Sequence, residues 1–270
     1  MLSRRRAAAE APGRRRRRVT SRRTLLTAVV VGLAIVVSSA ALGRANRSSS
    51  HPAVRADQRP GPVLLVPGYG GSTDSLEVLA QRLRTTGRDA TVVPLPGDGT
   101  GDLRADAVAL RTAADAALAA GAPSVDVVGY SAGGVVARLW AAGGGAAQAR
   151  RIVTLGSPHH GTKVAGLAKL LASSACQTAC RQLAPGSSLL DDLPETPDGP
   201  QWLSLWTSED QTVTPPDSAH LDGADNLVVQ DLCRGLSVSH DDLPLSPQVE
   251  AIVLAALSGP TLQVPADCPG

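Results

Sequence analysis

Three features of the 270-residue chain predict an α/β fold, a mostly parallel sheet with helices on both faces. From Gly61 onward, short apolar runs alternate with segments of helical spacing, each bounded by Gly, Pro, Ser or Asp. The apolar residues are almost all Leu, Val, Ile and Ala, with three Trp, two Tyr and no Phe. Small aliphatic side chains pack readily in layers of helix on sheet, whereas so few aromatics exclude nucleic-acid readout by stacking.

The elements follow in order. Pro62 to Pro67 reads as a short buried strand, and Leu76, Leu79, Ala80 and Leu83 form a helical stripe behind caps at Ser72, Thr73 and Asp74, ended by Gly87. Ala90 to Val93 is a second strand. Leu103 to Ala120 is an Ala-rich helix capped by Asp102 and stopped by Gly121. Val125 to Val128 is a third strand running into a helix from Ala132 to Ala142, and Ile152 to Leu155, Leu203 to Trp206 and Asn226 to Gln230 supply three more strands. The last helix opens at Ser246-Pro247, buries Val249, Ile252, Val253, Ala256 and Leu257, and ends at Gly259-Pro260.

Charge divides the chain. Residues 1–60 hold 14 Arg against Glu10 and Asp57, while the other 210 residues hold 12 basic and 22 acidic groups. Arg runs precede an almost uncharged apolar stretch from Leu25 to Leu42, so residues 1–43 are expected to be a signal peptide or signal anchor; Ser21 to Leu26 look like a degenerate twin-arginine signal. A basic arm for nucleic acid is the competing reading of the Arg runs, and the apolar stretch directly after them argues against it. Residues 44–60 read as a linker, and residues 61–270 as one catalytic domain, exported and secreted or held at the outer face of the membrane. That domain is acidic, which excludes a polyanionic partner. Its contact with a membrane is expected only through the N-terminal segment or at a lipid interface, and a monomer is expected.

All four cysteines lie beyond residue 175, and outside the cytoplasm an even count reads as disulfides. Cys176 with Cys180 and Cys233 with Cys268 needs the least crossing of the chain. A zinc site is disfavoured by the spacing, and Asp98-Gly99-Thr100-Gly101-Asp102 carries too few ligands for calcium, so no metal is expected.

Gly129-Tyr130-Ser131-Ala132-Gly133 joins a strand to a helix. The string alone is weak, and Ser131 could simply cap the helix, but this context is that of a nucleophile held on a strained turn. A serine hydroxyl needs a base to take its proton and a carboxylate to fix that base. His51 lies in the linker. His159 and His160 precede any acid in the chain order that a strand-turn-helix serine uses, which is Ser, acid, His. His240, just before the closing helix, is the candidate base, with His220 in reserve. The acid is expected after the strand ending at Trp206, where Glu209 and Asp210 both stand; the shorter Asp210 is favoured. Two backbone N–H groups should face the negative oxygen of a tetrahedral intermediate: that of Ala132, and that of Tyr69 in the glycine-rich turn Pro67-Gly68-Tyr69-Gly70-Gly71.

The segments LVPGYGGS (65–72), VVGYSAGGVVAR (127–138), TLGSPHHGT (154–162), TSEDQTVTPPDSAHLDGADNLVVQ (207–230) and SHDDLP (239–244) resemble the small secreted class 2 bacterial lipases of the actinobacterial triacylglycerol-lipase type. The resemblance runs from about Pro62 to Ser258. It implies a minimal α/β-hydrolase with Ser131, Asp210 and His240 as nucleophile, acid and base and with Tyr69 and Ala132 as oxyanion donors. It also implies hydrolysis of carboxylic esters of acylglycerols or related lipids, without a metal or organic cofactor. The family's His-Gly before the oxyanion residue is Pro67-Gly68 here. A polyester depolymerase, thioesterase or acyltransferase would use the same groups, and a non-catalytic lipid-binding surface protein is the reading from outside enzymology. Residues 174–200, rich in Ser, Pro and Asp, could shape the mouth of the cleft.

Overall fold

The computed structural model describes residues 59–163 and 176–270, all within one compact unit spanning His51–Gly270. The expected leader (1–43), the linker up to residue 58 and residues 174–175 of the cleft-mouth stretch lie outside the described residues. Among the described residues, no helix is long and apolar enough to cross a membrane.

Six strands form one sheet, every neighbouring pair parallel: β1 (Val63–Val66), β2 (Ala90–Val92), β3 (Val125–Tyr130), β4 (Ala149–Leu155), β5 (Gln201–Trp206) and β6 (Asp225–Val228), in the spatial order β2-β1-β3-β4-β5-β6. The larger helices are α1 (Asp74–Thr85), α2 (Leu103–Ala119), α3 (Ala132–Ala142) and, at the C-terminal end, α7 (Pro247–Leu257). Three short ones, α4 (Thr178–Gln182), α5 (Ser188–Asp191) and α6 (Val229–Leu232), lie between β4 and α7.

Side chains of a strand alternate between the faces of its sheet, so each strand feeds two cores. Leu64, Val66, Val125, Val127, Ile152 and Trp202 pack with α2 and α3, around Leu103, Leu110, Val136 and Trp140. Val63, Leu65, Val128, Val153, Leu203 and Leu205 pack on the other face with Leu76, Leu79 and Leu83 of α1 and Val249, Ile252 and Val253 of α7. Leu, Val and Ile fill both layers, as the missing Phe led one to expect.

Several boundaries differ from the sequence reading by one to three residues, β3 running on to Tyr130 and β5 starting at Gln201 among them, and three differences have a local cause. β4 starts at Ala149, because Arg150 and Arg151 are buried in it. Arg150 grips the buried Asp126 carboxylate with Nε at 3.0 Å and Nη2 at 2.5 Å, and Arg88 Nη2 reaches the same carboxylate at 2.6 Å. The arginines also donate to the last carbonyls of α7 and the turn beyond it: Arg150 Nη2 to Leu257 O at 2.7 Å and Arg151 Nη2 to Gly259 O at 2.9 Å. Buried guanidinium is tolerated because Arg150 Nε and the terminal nitrogens of both arginines find acceptors, Arg151 Nε alone being left without one among the described residues, and the helix C-terminus gains a positive partner. The sixth strand stops at Val228 and the chain turns into α6, where a strand through Gln230 was expected. In α1, Asp74 is the first helical residue and Thr73 the cap position, but the Thr73 side chain makes no capping hydrogen bond, so neither Ser72 nor Asp74 caps this helix and Thr73 does so by position alone. At α2, by contrast, the Asp102 side chain accepts from Arg104 N as expected, and Asp98 Oδ1 accepts from the Thr100 backbone at 3.1 Å. Both acids are thereby accounted for as turn and cap residues.

The disulfides join Cys176 to Cys180 and Cys233 to Cys268, with Cα separations of 5.5 and 4.8 Å. The second ties the C-terminal tail to the end of α6. Closing that loop stabilises by about 4 kcal/mol on chain entropy.

Candidate active site

The carboxyl ends of the parallel strands all deliver their loops to one edge of the sheet, where ligands bind in such folds. Ser131 follows β3 directly, at φ 53° and ψ −124°, and is the one non-glycine residue at positive φ among the described residues. Such strain costs on the order of 1–3 kcal/mol and has to be imposed by surrounding structure. Its N–H donates to Leu155 O at 2.8 Å. The flanking glycines make the turn possible: a Cβ at Gly129 would stand 2.6 Å from Gly133 O, and one at Gly133 would stand 2.2 Å from Val66 O.

His240 and Asp210 converge on this serine. His240 Nε2 lies 3.0 Å from Ser131 Oγ, and His240 Nδ1 lies 2.7 Å from Asp210 Oδ2. A carboxylate only accepts, so Nδ1 carries the hydrogen and Nε2 is left to accept from the hydroxyl. Asp210 Oδ1 in turn accepts from the backbone N–H of Thr212 at 2.8 Å and Val213 at 2.7 Å. The carboxylate is therefore locked by its own turn. Asp210 and His240 are 4% and 5% exposed, which keeps bulk water from competing for their bond. Glu209, the other expected acid, points away: its Oε2 accepts from Ser237 Oγ at 2.7 Å. The loop that carries His240 is pinned where Thr207 Oγ1 donates to Val238 O at 2.7 Å.

The other histidines stay outside this chain of bonds. His220, the reserve, is half exposed and turns its ring edge to Trp206. His159 is buried, with Nε2 3.1 Å from Thr154 Oγ1. Burial first, then the charges of Arg138 and His160, holds its imidazole well below the usual range, so it is neutral. Its carbonyl accepts from buried Arg138, which also holds Leu193 O and Pro194 O. His160 is half exposed and reaches Glu195 Oε1 at 3.1 Å.

Two neighbours of His240 carried no signal in the sequence. The Tyr130 ring lies against its imidazole at a centroid distance of 5.2 Å, and the Tyr130 hydroxyl donates to His240 O at 3.3 Å. Burial, then the Asp241 and Asp210 carboxylates, raises the phenol pKa, so the hydroxyl stays protonated. Gly156, after β4 at φ +56°, runs under the same ring: a Cβ there would be 3.1 Å from His240 Nδ1. Spacing between chemical groups could not have found either residue, since both act only through a ring brought in from another part of the chain.

Tyr69, in the turn after β1, and Ala132, first residue of α3, flank the serine. Among the described residues, neither backbone N–H donates to a protein acceptor, and Gly68 packs so closely that its Cβ would stand 3.0 Å from Ser131 Cβ. Alongside runs an open cleft of about 550 Å³, bordered by Gly68, Tyr69, Val78, Tyr130, Asp241 and Leu245 among others. The sequence-expected residues Ser131, Asp210, His240, Tyr69 and Ala132 thus gather at one edge of the sheet. No group of His, Cys, Asp and Glu able to hold a metal occurs among the described residues.

No family model and no curated protein matches the chain in sequence. Its structure is similar to Aspergillus fumigatus lipase B (TM-score 0.62, 18% identity, covering 79% of this chain and 55% of that one). The chain therefore spans about half the length of that lipase. It is also similar to the mature Bacillus licheniformis lipase BlEst2 (TM-score 0.59, 18% identity, 73% of this chain and 92% of that one). A third likeness is to a structure from the pair LipS and LipT, two metagenome-derived lipolytic enzymes (TM-score 0.56, 18% identity, 73% of this chain and 93% of that one). At these identities the likeness shows the fold, and together with the six-stranded parallel sheet it means that this chain has the α/β-hydrolase fold.

Proposed function

We propose that this protein is an exported serine hydrolase of the class 2 bacterial lipase type, cleaving carboxylic esters of acylglycerols or related lipids. The observation that carries the reading is the continuous chain of hydrogen bonds from Ser131 Oγ through His240 to Asp210, with the serine on a strained turn. A binding module has no use for all three groups in register. The lipolytic neighbours of the fold and the two disulfides, which suit an oxidising compartment, support it further.

In this reading, Ser131 Oγ attacks the ester carbonyl carbon while its proton passes to His240 Nε2. Asp210 holds the imidazole in the right tautomer and stabilises the imidazolium. The oxyanion is met by the N–H groups of Tyr69 and Ala132, each worth roughly 3 kcal/mol of barrier. His240 then returns the proton to the departing alkoxide, which leaves as the alcohol. Water, deprotonated by the same nitrogen, attacks the acyl-serine; the carboxylic acid is released and Ser131 regains its proton. No metal or organic cofactor has a part in it.

The test is turnover of p-nitrophenyl esters of graded chain length by the wild type and Ser131→Ala, with labelling by a fluorophosphonate. Turnover and labelling that both vanish in the variant are expected, and the chain-length profile separates lipase from esterase. Equal turnover by both proteins would remove the nucleophile.

A further inference from the structure

The cleft beside Ser131 joins apolar walls to an unbalanced charge. Tyr69, Val78 and Leu245 all line it and are 43%, 46% and 43% exposed; they account for three of the five large hydrophobic side chains left exposed among the described residues. Its charged lining residues are Asp74 and Asp241, with no Lys or Arg among the described lining. Asp74 is the first residue of α1, whose N-terminus opens on the cleft and would otherwise attract an anion. A carboxylate at that position offsets the helix's positive end. Asp241 follows the candidate base directly, with Oδ1 3.5 Å from the Tyr130 hydroxyl.

We infer that Asp74 and Asp241 act as a charge filter on this cleft, admitting uncharged and cationic esters with an apolar arm and turning away esters that carry a carboxylate or phosphate near the scissile bond. The inference rests on the proposed ester-hydrolase reading and names the substrate class within it. The apolar rim rewards burial of a hydrocarbon arm. An anionic arm lying in the same groove meets two like charges without a compensating cation. Tyr130, at the inner wall, feels one of the two: after burial, the Asp241 carboxylate and then that of Asp210 disfavour its phenolate. The bias extends to residues 61–270 as a whole, which hold 22 acidic against 12 basic groups. Both acids are exposed, so the effect is moderate and screened by salt; taking a separation of about 10 Å, one Debye length, and an effective dielectric between protein surface and water, two like charges give about five- to twentyfold discrimination at low ionic strength.

The experiment compares three p-nitrophenyl esters of matched length, ending in a methyl, a carboxylate and a trimethylammonium group. Their binding to Ser131→Ala, which holds the ester uncleaved, is measured by NMR titration at low and high salt. The same titrations are made with Asp74→Asn and Asp241→Asn added singly and together, and turnover is followed with Ser131 intact. The anionic ester is expected to bind about five- to twentyfold more weakly than the neutral one, the cationic ester at least as tightly as the neutral one. The double Asn variant should bring the ratios close to one, as should high salt. Equal binding of all three esters, or a preference that survives the double variant, would overturn the filter, as would absence of binding by any of them. Because binding to Ser131→Ala needs no chemistry, loss of the turnover reading leaves this result separate: an enzyme that shows no serine-dependent turnover fails the proposed function, not the charge selection.

Discussion

Replacing Gly156 by alanine should damage the proposed chemistry through a residue that touches no substrate. At φ +56° an alanine pays about 1–2 kcal/mol of backbone strain that glycine avoids. Its Cβ would sit 2.6 Å from Leu243 Cδ1 and 3.1 and 3.2 Å from Nδ1 and Cε1 of His240. Leu243 can swing its methyl aside. The imidazole cannot move freely, because it is held at 2.7 Å from Asp210 and 3.0 Å from Ser131. Relief to an ordinary contact demands a retreat of about 0.3–0.5 Å. Misplacement of 1 Å costs about a hundredfold, so roughly a tenfold fall in kcat is expected, with KM changed less than about twofold. For a domain of this size the strain lowers Tm by about 2–8 °C. Steady-state kinetics on a p-nitrophenyl ester, the rate of fluorophosphonate labelling and a thermal melt read the three quantities. An unchanged kcat beside a lowered Tm would refute the argument, leaving Gly156 as a backbone requirement only.

Asp210→Asn should lower kcat by about four orders of magnitude, since the amide can present the wrong tautomer to His240, whereas Glu209→Gln should leave kcat within about twofold; steady-state kinetics on the pair of variants decides which acid acts. Asp106 is buried in the first turn of α2, and burial, then the charge of Asp102, raises its pKa to about 6. The folded protein therefore holds this proton more tightly than the unfolded chain does, and stability falls as pH rises from about 4 to 6 and stays lowered above. By linkage the loss is at most about 3 kcal/mol. Asp106→Asn should raise Tm by several degrees at pH 8 and lose that advantage at pH 4; an advantage independent of pH would sink the assignment. Replacing Cys233 and Cys268 together by serine should cost about 4 kcal/mol in denaturant unfolding while changing kcat much less, because His240, which the closed loop carries, is held separately by Asp210 and its loop by the Thr207–Val238 bond.

Much of the fold was legible because strands and helices announce themselves locally. PVLLVP, VDVVG and SLW are too apolar for a surface and too short for helices, and the stripe of Leu76, Leu79, Ala80 and Leu83 has the helical period. Local polarity misled at Arg150-Arg151, which look like a loop until Asp126 and the carbonyls at the end of α7 are brought to them. The helical turn of α6 escaped notice because Val228-Val229 continues an apolar run that a strand would also show.

The site divides in the same way. Ser131 between Gly129 and Gly133 is a locally legible device, although Gly133 is needed for its close approach to β1 and the strain at Ser131 is imposed by neighbouring strands; Asp210 was ranked over Glu209 as the shorter carboxylate, and the structure adds that it accepts from its own turn. Chain order and the loops at strand ends narrowed the base to His240. What tertiary structure alone decided is that residues 109 and 30 positions apart meet within hydrogen-bond distance, that Gly156 and Tyr130 border the same ring, and that Tyr69, Val78 and Leu245 share a cleft with two carboxylates. The physical reason is that backbone preferences act over a few residues. Which strand lies beside which, and what a closing helix presses into the crevice, depends on burying both faces of the sheet at once.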